Sequence, residues 1–174
     1  LDASINADCK PENLVQFAIL GALFAENILC IDNPKIGLIN IGEEEGKGNI
    51  LAQATYPLLK ENSTINFIGN IEGRDIFSDK SDVMVCEGFT GNIVLKMAES
   101  VYEIAQRRNI KDDYLEKLNF EIYGGVPVLG VAKPVIIGHG ISHGTAFKNM
   151  ILIAEKMIAK DLMQKMKAAF SAIT

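Results

Sequence analysis

The sequence predicts an α/β protein in which helices cover both faces of a parallel or mixed sheet. Short, continuously apolar runs of strand length recur along the chain, and such runs are typical of strands buried on both faces. Most of these runs alternate with longer stretches of helical pattern. A polar loop that contains glycine follows each run before the next element begins.

A largely buried helix is predicted over residues 14–31, which are rich in Ala, Leu, Ile and Phe. Pro11 and Glu12 precede it and suit a first helical turn, and Asn33-Pro34 breaks the chain after it. Pro57 is expected to bend or end the next helix. The predicted strands are residues 35–41, 65–68, 82–86 and 134–138, and the later helices are residues 50–60, 93–106 and 146 to about 170.

Composition excludes several classes of protein. The chain has 174 residues, 48% of them hydrophobic, so it can bury a core and is not a disordered tail. Its net charge of −5 and its lack of tryptophan argue against nucleic-acid binding. No segment has the roughly 18 consecutive apolar residues of a membrane span. The three cysteines form no CxxC pair, which indicates reduced cytosolic thiols and no metal site.

The loops after the predicted strands carry most of the unusual side chains. Ligands of open α/β sheets bind outside the carboxyl ends of the strands, and glycine-rich loops and helix N-termini there favour anions. In the loop GEEEGKGN, Lys47 is predicted to place an ammonium beside an anion, although the loop also fits an exposed, charged turn. The other candidates in these loops are Glu43, Asn70, Arg74, Asp75, Asn92, His139 and Ser142.

Three loops leave alternatives open. Arg74 and Asp75 form either a local ion pair or an anion-binding guanidinium held by a carboxylate. The loop EGFTGN is either a capped turn or an oxyanion site. The loop GHGISHG resembles a dinucleotide fingerprint, but it reads GxGxxxG and no strand with an acidic end follows it. Because no GxSxG elbow is present, we expect a reaction that proceeds by positioning and electrostatics, without a covalent enzyme intermediate.

Six segments, taken together, resemble one family. They are LDASINADCKPENLVQFA, GLINIGEEEGKGN, INFIGNIEGRD, CEGFTGNIVLK, YGGVPVLGV and PVIIGHGIS, in order along nearly the whole chain, and they look like the bacterial phosphate acyltransferase family PlsX. The resemblance implies a three-layer α/β/α sandwich similar to phosphotransacetylases and isopropylmalate dehydrogenase-like proteins. It also implies transfer of a fatty acyl group from acyl-[acyl-carrier-protein] to inorganic phosphate, giving acyl phosphate for phospholipid synthesis.

The resemblance also implies partners and a location. It predicts a cytoplasmic homodimer that contacts the inner face of the membrane peripherally, and a downstream glycerol-3-phosphate acyltransferase that uses the product. No cofactor or metal is expected. Two other functions stay open: a nicotinamide-dependent dehydrogenase of related fold, which would bind that cofactor, and a non-catalytic membrane or dimerisation module, which would bind lipid without turnover.

The chain departs from the family in two places. Family members carry roughly another half-chain before the LDASIN segment, and the chain opens on Leu1-Asp2 without an initiator methionine. We therefore expect residues 1–174 to be the C-terminal portion of a single α/β domain. The family also inserts a longer pair of helices, associated with dimerisation and membrane contact, where residues 107–110 form a short junction in this chain.

Loop position and the resemblance together suggest roles for individual residues. The expected phosphate ligands are the cations Lys10, Lys47 and Arg74. The groups expected to stabilise the carbonyl oxygen are hydrogen-bond donors, namely Asn70, Asn92 and the backbone N–H groups of Gly88 and Gly91. His139 is expected to orient phosphate or to protonate the leaving thiol. The remaining residues expected to line the substrate are Asn40, Glu43, Asp75 and Ser142.

Overall fold

The computed structural model describes residues 1–171 and divides the chain into two compact units, Leu1–Asn92 and the part that begins at Ile93. The first unit is built on three parallel strands, β1 (Lys35–Ile39), β2 (Asn66–Ile71) and β3 (Val83–Val85). Strand β1 lies in the centre of the sheet, which has the order β2-β1-β3. The α/β class and the parallel sheet are confirmed, and the architecture is consistent with an α/β/α sandwich.

Two helices pack on this sheet. Helix α1 (Pro11–Phe24) continues into a π-helical turn at Ala25–Leu29, and α2 (Ile50–Glu61) connects β1 to β2. The helices contact each other, and their apolar side chains enclose the core with those of the strands. The largest fully buried apolar side chains of this unit are Leu14, Ile36, Leu38, Leu59, Ile71 and Val85. Because each Å² of apolar surface removed from water contributes about 25 cal/mol to the free energy of folding, this core is the main source of the unit's stability.

The second unit contains most of α3 (Gly88–Arg107), which begins in the first unit. Two short helices follow, α4 (Asp113–Glu116) and α5 (Phe120–Tyr123). Strands β4 (Gly125–Val128) and β5 (Val135–Gly138) then pair antiparallel with each other. Helices α6 (Gly144–Ala159) and α7 (Leu162–Ser171) complete the described chain. No helix of residues 1–171 is long and apolar enough to cross a bilayer.

Helix α1 begins at Pro11, in agreement with the prediction that Pro11 and Glu12 form its first turn, where proline needs no N–H partner. Three other features differ from the predictions. Pro57 lies inside α2, which continues to Glu61. Most of the predicted loop 87–92 is the first turn and a half of α3. The single helix predicted from residue 146 is two helices, because Asp161 adopts a left-handed conformation with φ +52° between them.

The fourth predicted strand does not extend the parallel ladder. Strand β5 pairs antiparallel with β4, so three of the four predicted strands form the parallel sheet within the described residues. No strand is predicted from the sequence at residues 125–128. These residues include Gly125 and Pro127, which are depleted in strands, and here they form a hairpin with β5.

The segment of residues 1–6 is fastened to the sheet by its backbone and by one carboxylate. The N–H of Asp2 donates to the Cys86 carbonyl at 2.8 Å, and the N–H of Cys86 donates to the Leu1 carbonyl at 2.9 Å. The buried Asp2 carboxylate accepts from the backbone N–H groups of Ser4, Ile5 and Asn6 and from the Asn6 side-chain amide. The Asp2 carboxylate therefore holds the backbone of this segment in its turn conformation.

The same hydrogen bonds determine the ionisation of this carboxyl group. Burial by itself would raise the pKa of Asp2, but the hydrogen bonds from Ile5, Ser4 and Asn6 outweigh it, and the pKa lies below its ordinary value. A carboxyl group with a lowered pKa stabilises the fold above its unfolded-state pKa, about 3.9, and loses that contribution as the pH falls through the lowered value.

We expect Asp2→Asn to lower the free energy of unfolding at neutral pH by roughly 1.5–3 kcal/mol, because an amide cannot accept all four hydrogen bonds. The loss of stability as the pH falls below about 4 should also become shallower than in the wild type. Urea titrations of both proteins at pH 7 and pH 3 measure this difference. Asp8→Asn, at an exposed position in the same segment, should match the wild type. If Asp2→Asn and the wild type lost the same free energy of unfolding between pH 7 and pH 3, the stabilising role of the Asp2 carboxylate would be contradicted.

Candidate functional site

A cavity of about 210 Å³ lies at the carboxyl edge of the parallel sheet, where β1 and β3 end. Its lining combines apolar side chains with amide, hydroxyl, thiol and carboxylate groups. Its lining residues come from α1, from β1 and the loop after it, from the start of α2, and from the junction of β3 with α3. They are Leu14, Leu38, Ile39, Asn40, Ile41, Gly48, Asn49, Leu51, Ala52, Cys86, Glu87 and Thr90.

Two helix N-termini contribute to this cavity, and each is capped by a side chain. The Asn49 side-chain oxygen accepts from the Ala52 N–H at 2.8 Å at the start of α2. The Glu87 carboxylate accepts from the Thr90 N–H at 2.9 Å and from the Thr90 hydroxyl at the start of α3. Helix N-termini carry partial positive charge, which the Glu87 carboxylate already meets at the start of α3, whereas a neutral amide caps α2.

Two buried asparagines hold the loop that carries Lys47. The Asn40 side-chain amide donates to the Lys47 carbonyl at 3.0 Å, and the Asn70 amide donates to the Glu44 carbonyl at 2.9 Å. Gly48, with φ +96°, lies so close to Asn40 that a Cβ atom there would be 2.3 Å from Oδ1. Asn40 and Asn70 therefore position the loop. The Asn70 side-chain N–H is engaged in this way, whereas its buried oxygen has no hydrogen-bond partner among the described residues.

The charged side chains of the predicted site form exposed pairs around this loop. Lys80 bridges Glu43 at 2.6 Å and Asp75 at 2.8 Å, and its hydrogen bond holds the pKa of Asp75 below the ordinary value. The Asp75 carboxylate also accepts from the Glu72 N–H. Arg74 pairs with Glu72 at 2.6 Å and keeps 72% of its side chain exposed. In place of the local ion pair proposed between Arg74 and Asp75, Arg74 pairs with Glu72 and Asp75 pairs with Lys80.

The predicted donors in the GFTGN segment are engaged within the protein. The N–H of Gly88 donates to the Asn6 carbonyl at 2.8 Å, and the N–H of Gly91 donates to the Glu87 carbonyl at 3.0 Å. The Asn92 side-chain amide donates to the Ala3 carbonyl at 3.2 Å. The bonds of Gly88 and Asn92 join α3 to the segment of residues 1–6, whereas that of Gly91 lies within the start of α3. The role of these three donors at the carbonyl oxygen stays a prediction.

Lys10 lies at the start of α1, where its N–H donates to the Asn13 side chain at 2.9 Å and its own side chain is exposed. Lys47 is also exposed, on the loop between β1 and α2. Both cations are therefore open to solvent and to an anionic ligand.

His139 and Ser142 share one turn in the second unit, after β5. The N–H of Ser142 donates to the His139 carbonyl at 3.0 Å, and the N–H of Ile141 reaches His139 Nδ1 at 3.4 Å. Within the part of the chain that the structure describes, the buried Ser142 hydroxyl oxygen has no hydrogen-bond partner. The other histidine of this loop, His143, lies 2.7 Å from the Glu121 carboxylate.

Of the predicted site residues, Asn40 alone lines this cavity. The four other polar side chains that line it were not singled out from the sequence: Asn49, Cys86, Glu87 and Thr90. Asn49 and Glu87 each stand directly before a helix, and an Asn before a helical pattern is a recognisable cap signal.

Burial raises the pKa of the Cys86 thiol. The thiol therefore stays protonated at neutral pH and is a poor nucleophile, which agrees with a reaction that needs no covalent enzyme intermediate.

A family model described as "Fatty acid synthesis protein" matches residues 1–165. Among curated relatives named "Phosphate acyltransferase", the protein of Dictyoglomus turgidum is 43% identical over 197 residues, covering 100% of this chain and 57% of the relative. That of Aquifex aeolicus is 45% identical over 185 residues, covering 95% and 55%. That of Acidobacterium capsulatum is 39% identical over 191 residues, covering 99% and 56%. The chain thus spans about half the length of these relatives.

Proposed function

The chain belongs to the fatty acid synthesis protein family, and from this membership we propose that the full-length protein transfers a fatty acyl group from acyl-[acyl-carrier-protein] to inorganic phosphate. The observation that carries the proposal is the match, over nearly the whole chain, to relatives named phosphate acyltransferase. The cavity at the sheet edge supports it. These relatives give no support to a nicotinamide-dependent dehydrogenase or to a non-catalytic membrane module.

The chemistry of this transfer suits the polar edge of the first unit. Phosphate is an anionic nucleophile at neutral pH, so the site must neutralise its charge, align it with the thioester carbonyl and stabilise the tetrahedral oxyanion. In our proposal Lys47 and Arg74, both solvent-exposed on loops that follow β1 and β2, hold the phosphate or the product. Asn40 and Asn70 fix the position of the Lys47 loop, and the apolar cavity wall excludes water from the thioester.

Further ligands of the reaction remain part of the proposal. Lys10 supplies an additional exposed cation, and Glu43 and Asp75 hold Lys80 near the Lys47 loop. His139, in the turn that contains Ser142, is proposed to orient phosphate. We propose no cofactor for this reaction, because both substrates already carry the reacting groups.

We also propose a homodimer and peripheral membrane contact in the cytoplasm, followed by use of the product by a glycerol-3-phosphate acyltransferase. Exposed apolar side chains on α6 support an association surface: Phe147 is 58% exposed, Ile151 69% and Ile158 60%. The aligned Dictyoglomus turgidum stretch counts 197 residues against 174 in this chain, which supports a shorter connection here than in that relative.

The proposed activity is tested by incubating the full-length protein with acyl-[acyl-carrier-protein], with and without inorganic phosphate and in the absence of any nucleotide. We expect phosphate-dependent loss of the thioester and formation of acyl phosphate, trapped as its hydroxamate. A titration with NADH, followed by fluorescence, is expected to show no binding. Thioester that persists at saturating phosphate, or binding of NADH, would contradict the proposal.

A further inference from the structure

We propose that Glu87 is the proton carrier of the acyl transfer, in addition to being the cap of α3. This inference rests on the proposed function. Glu87 lines the 210 Å³ cavity at the carboxyl end of β3, beside Cys86 and Thr90. Among the residues that line this cavity, Glu87 alone carries a carboxyl group, which can accept a proton and return it.

The carboxylate is held in one orientation. One oxygen accepts from the Thr90 N–H at 2.9 Å, and the other accepts from the Thr90 hydroxyl. The Glu87 carbonyl receives the N–H of Gly91, which fixes its backbone at the start of the 20-residue helix α3. A group that acts as an acid or base must be positioned before the reaction begins. Thr90 positions Glu87 by donating one hydrogen bond to each of its two carboxylate oxygens.

The identity of the side chain argues for a role beyond capping. Asn, Asp and Ser are the preferred helix caps, because their short side chains reach the N–H of the third helical residue directly. The neighbouring helix α2 follows this preference with Asn49. Glu87 instead places a longer, ionisable side chain at the wall of the cavity.

The transfer requires one proton to change position. The phosphate dianion HPO₄²⁻ attacks the thioester carbonyl, a carbon–oxygen bond forms, and the carbon–sulfur bond breaks with its electron pair leaving on sulfur. The products are the acyl phosphate dianion and a thiol, so the proton of the phosphate hydroxyl ends on sulfur. In our proposal the Glu87 carboxylate accepts that proton as the carbon–oxygen bond forms and delivers it to the leaving sulfur, which returns the carboxylate to its initial state.

The test compares wild-type full-length protein with Glu87→Gln, which keeps the length and an acceptor oxygen for the Thr90 N–H but carries no proton. We expect kcat for acyl phosphate formation to fall about 100-fold or more, with the KM for phosphate and the thermal midpoint close to the wild type. Glu61→Gln, at an exposed position on α2, removes the same charge outside the cavity and should retain full activity.

A second variant separates catalysis from capping. Glu87→Asn supplies a preferred cap and should match or exceed the wild type in thermal midpoint while losing activity as Glu87→Gln does. Wild-type kcat in either variant would overturn the role of Glu87 and leave the proposed function intact. A loss of activity in both variants that tracks a lowered thermal midpoint would also overturn it. No acyl phosphate from the wild type would remove the proposed function, and this role with it.

Discussion

Replacing Gly91 by alanine should destabilise the protein by about 2 kcal/mol or more, even though alanine is the better helix former. A Cβ atom at this position would lie 1.7 Å from the Asp2 carbonyl oxygen and 3.1 Å from the Cys86 sulfur. Neither neighbour can withdraw easily, because the Asp2 N–H is bonded to the Cys86 carbonyl. The segment of residues 1–6 or the start of α3 must therefore shift.

Thermal and urea unfolding of Gly91→Ala and Gly144→Ala measure this effect with a matched control. Gly144 also begins a helix, α6, but an added Cβ atom there meets nothing within 4 Å. Gly144→Ala should therefore leave stability unchanged or raise it by up to about 1 kcal/mol. If Gly91→Ala unfolds at the same denaturant concentration as the wild type, the close packing of α3 on residue 2 is wrong. Alanine retains its N–H, so the result reports on packing alone.

Lys47→Ala and Arg74→Ala should each lower turnover at least tenfold, which corresponds to about 1.4 kcal/mol of barrier. Each substitution removes a cation from a loop that follows a strand of the parallel sheet, where we place the phosphate. Lys47 is exposed and Arg74 has an exposed ion pair with Glu72, so the fold should tolerate both changes. A surface ion pair contributes little to stability, and the thermal midpoints should stay near the wild type.

Initial rates over a range of phosphate concentrations measure these losses in the full-length protein. Lys111→Ala, which removes an exposed lysine outside the predicted site, serves as the control and should keep the wild-type rate. Unchanged rates in the Lys47 and Arg74 variants would take both cations out of the site. A rise in the KM for phosphate without a change in kcat would show that they bind phosphate equally in the ground state and the transition state.

The parallel sheet was predictable because its strands are short and largely apolar runs, a pattern that depends only on local sequence. Strands β1 and β3 are mostly buried, whereas β2 includes two asparagines and is buried only at its C-terminal end. Strand β4 was missed because Gly125 and Pro127 weaken its local signal, and its pairing with β5 is what makes it a strand. The break between α6 and α7 at Asp161 has neither Gly nor Pro to mark it.

The site was less predictable than the sheet, because the role of a polar side chain depends on distant partners. The glycines at positions 88 and 91 suggested a turn, whereas they lie in a helix and allow close contact with residues 2 and 6. The role of Asn70 as a support for the loop at Glu44 spans 26 positions along the chain. Such contacts produce no periodic pattern in the sequence. The position of a loop after a strand could therefore indicate where the site lies, but not what each polar side chain does there.

A crystal structure of the full-length protein with a non-hydrolysable acyl phosphate analogue tests most directly where the reaction takes place. We expect the phosphoryl group at the carboxyl edge of the parallel sheet, with the Lys47 ammonium in contact with its oxygens and the scissile carbonyl next to Glu87. An analogue bound elsewhere, with the Lys47 loop and the cavity beside Glu87 unoccupied, would show that this edge of the sheet is not the phosphate site.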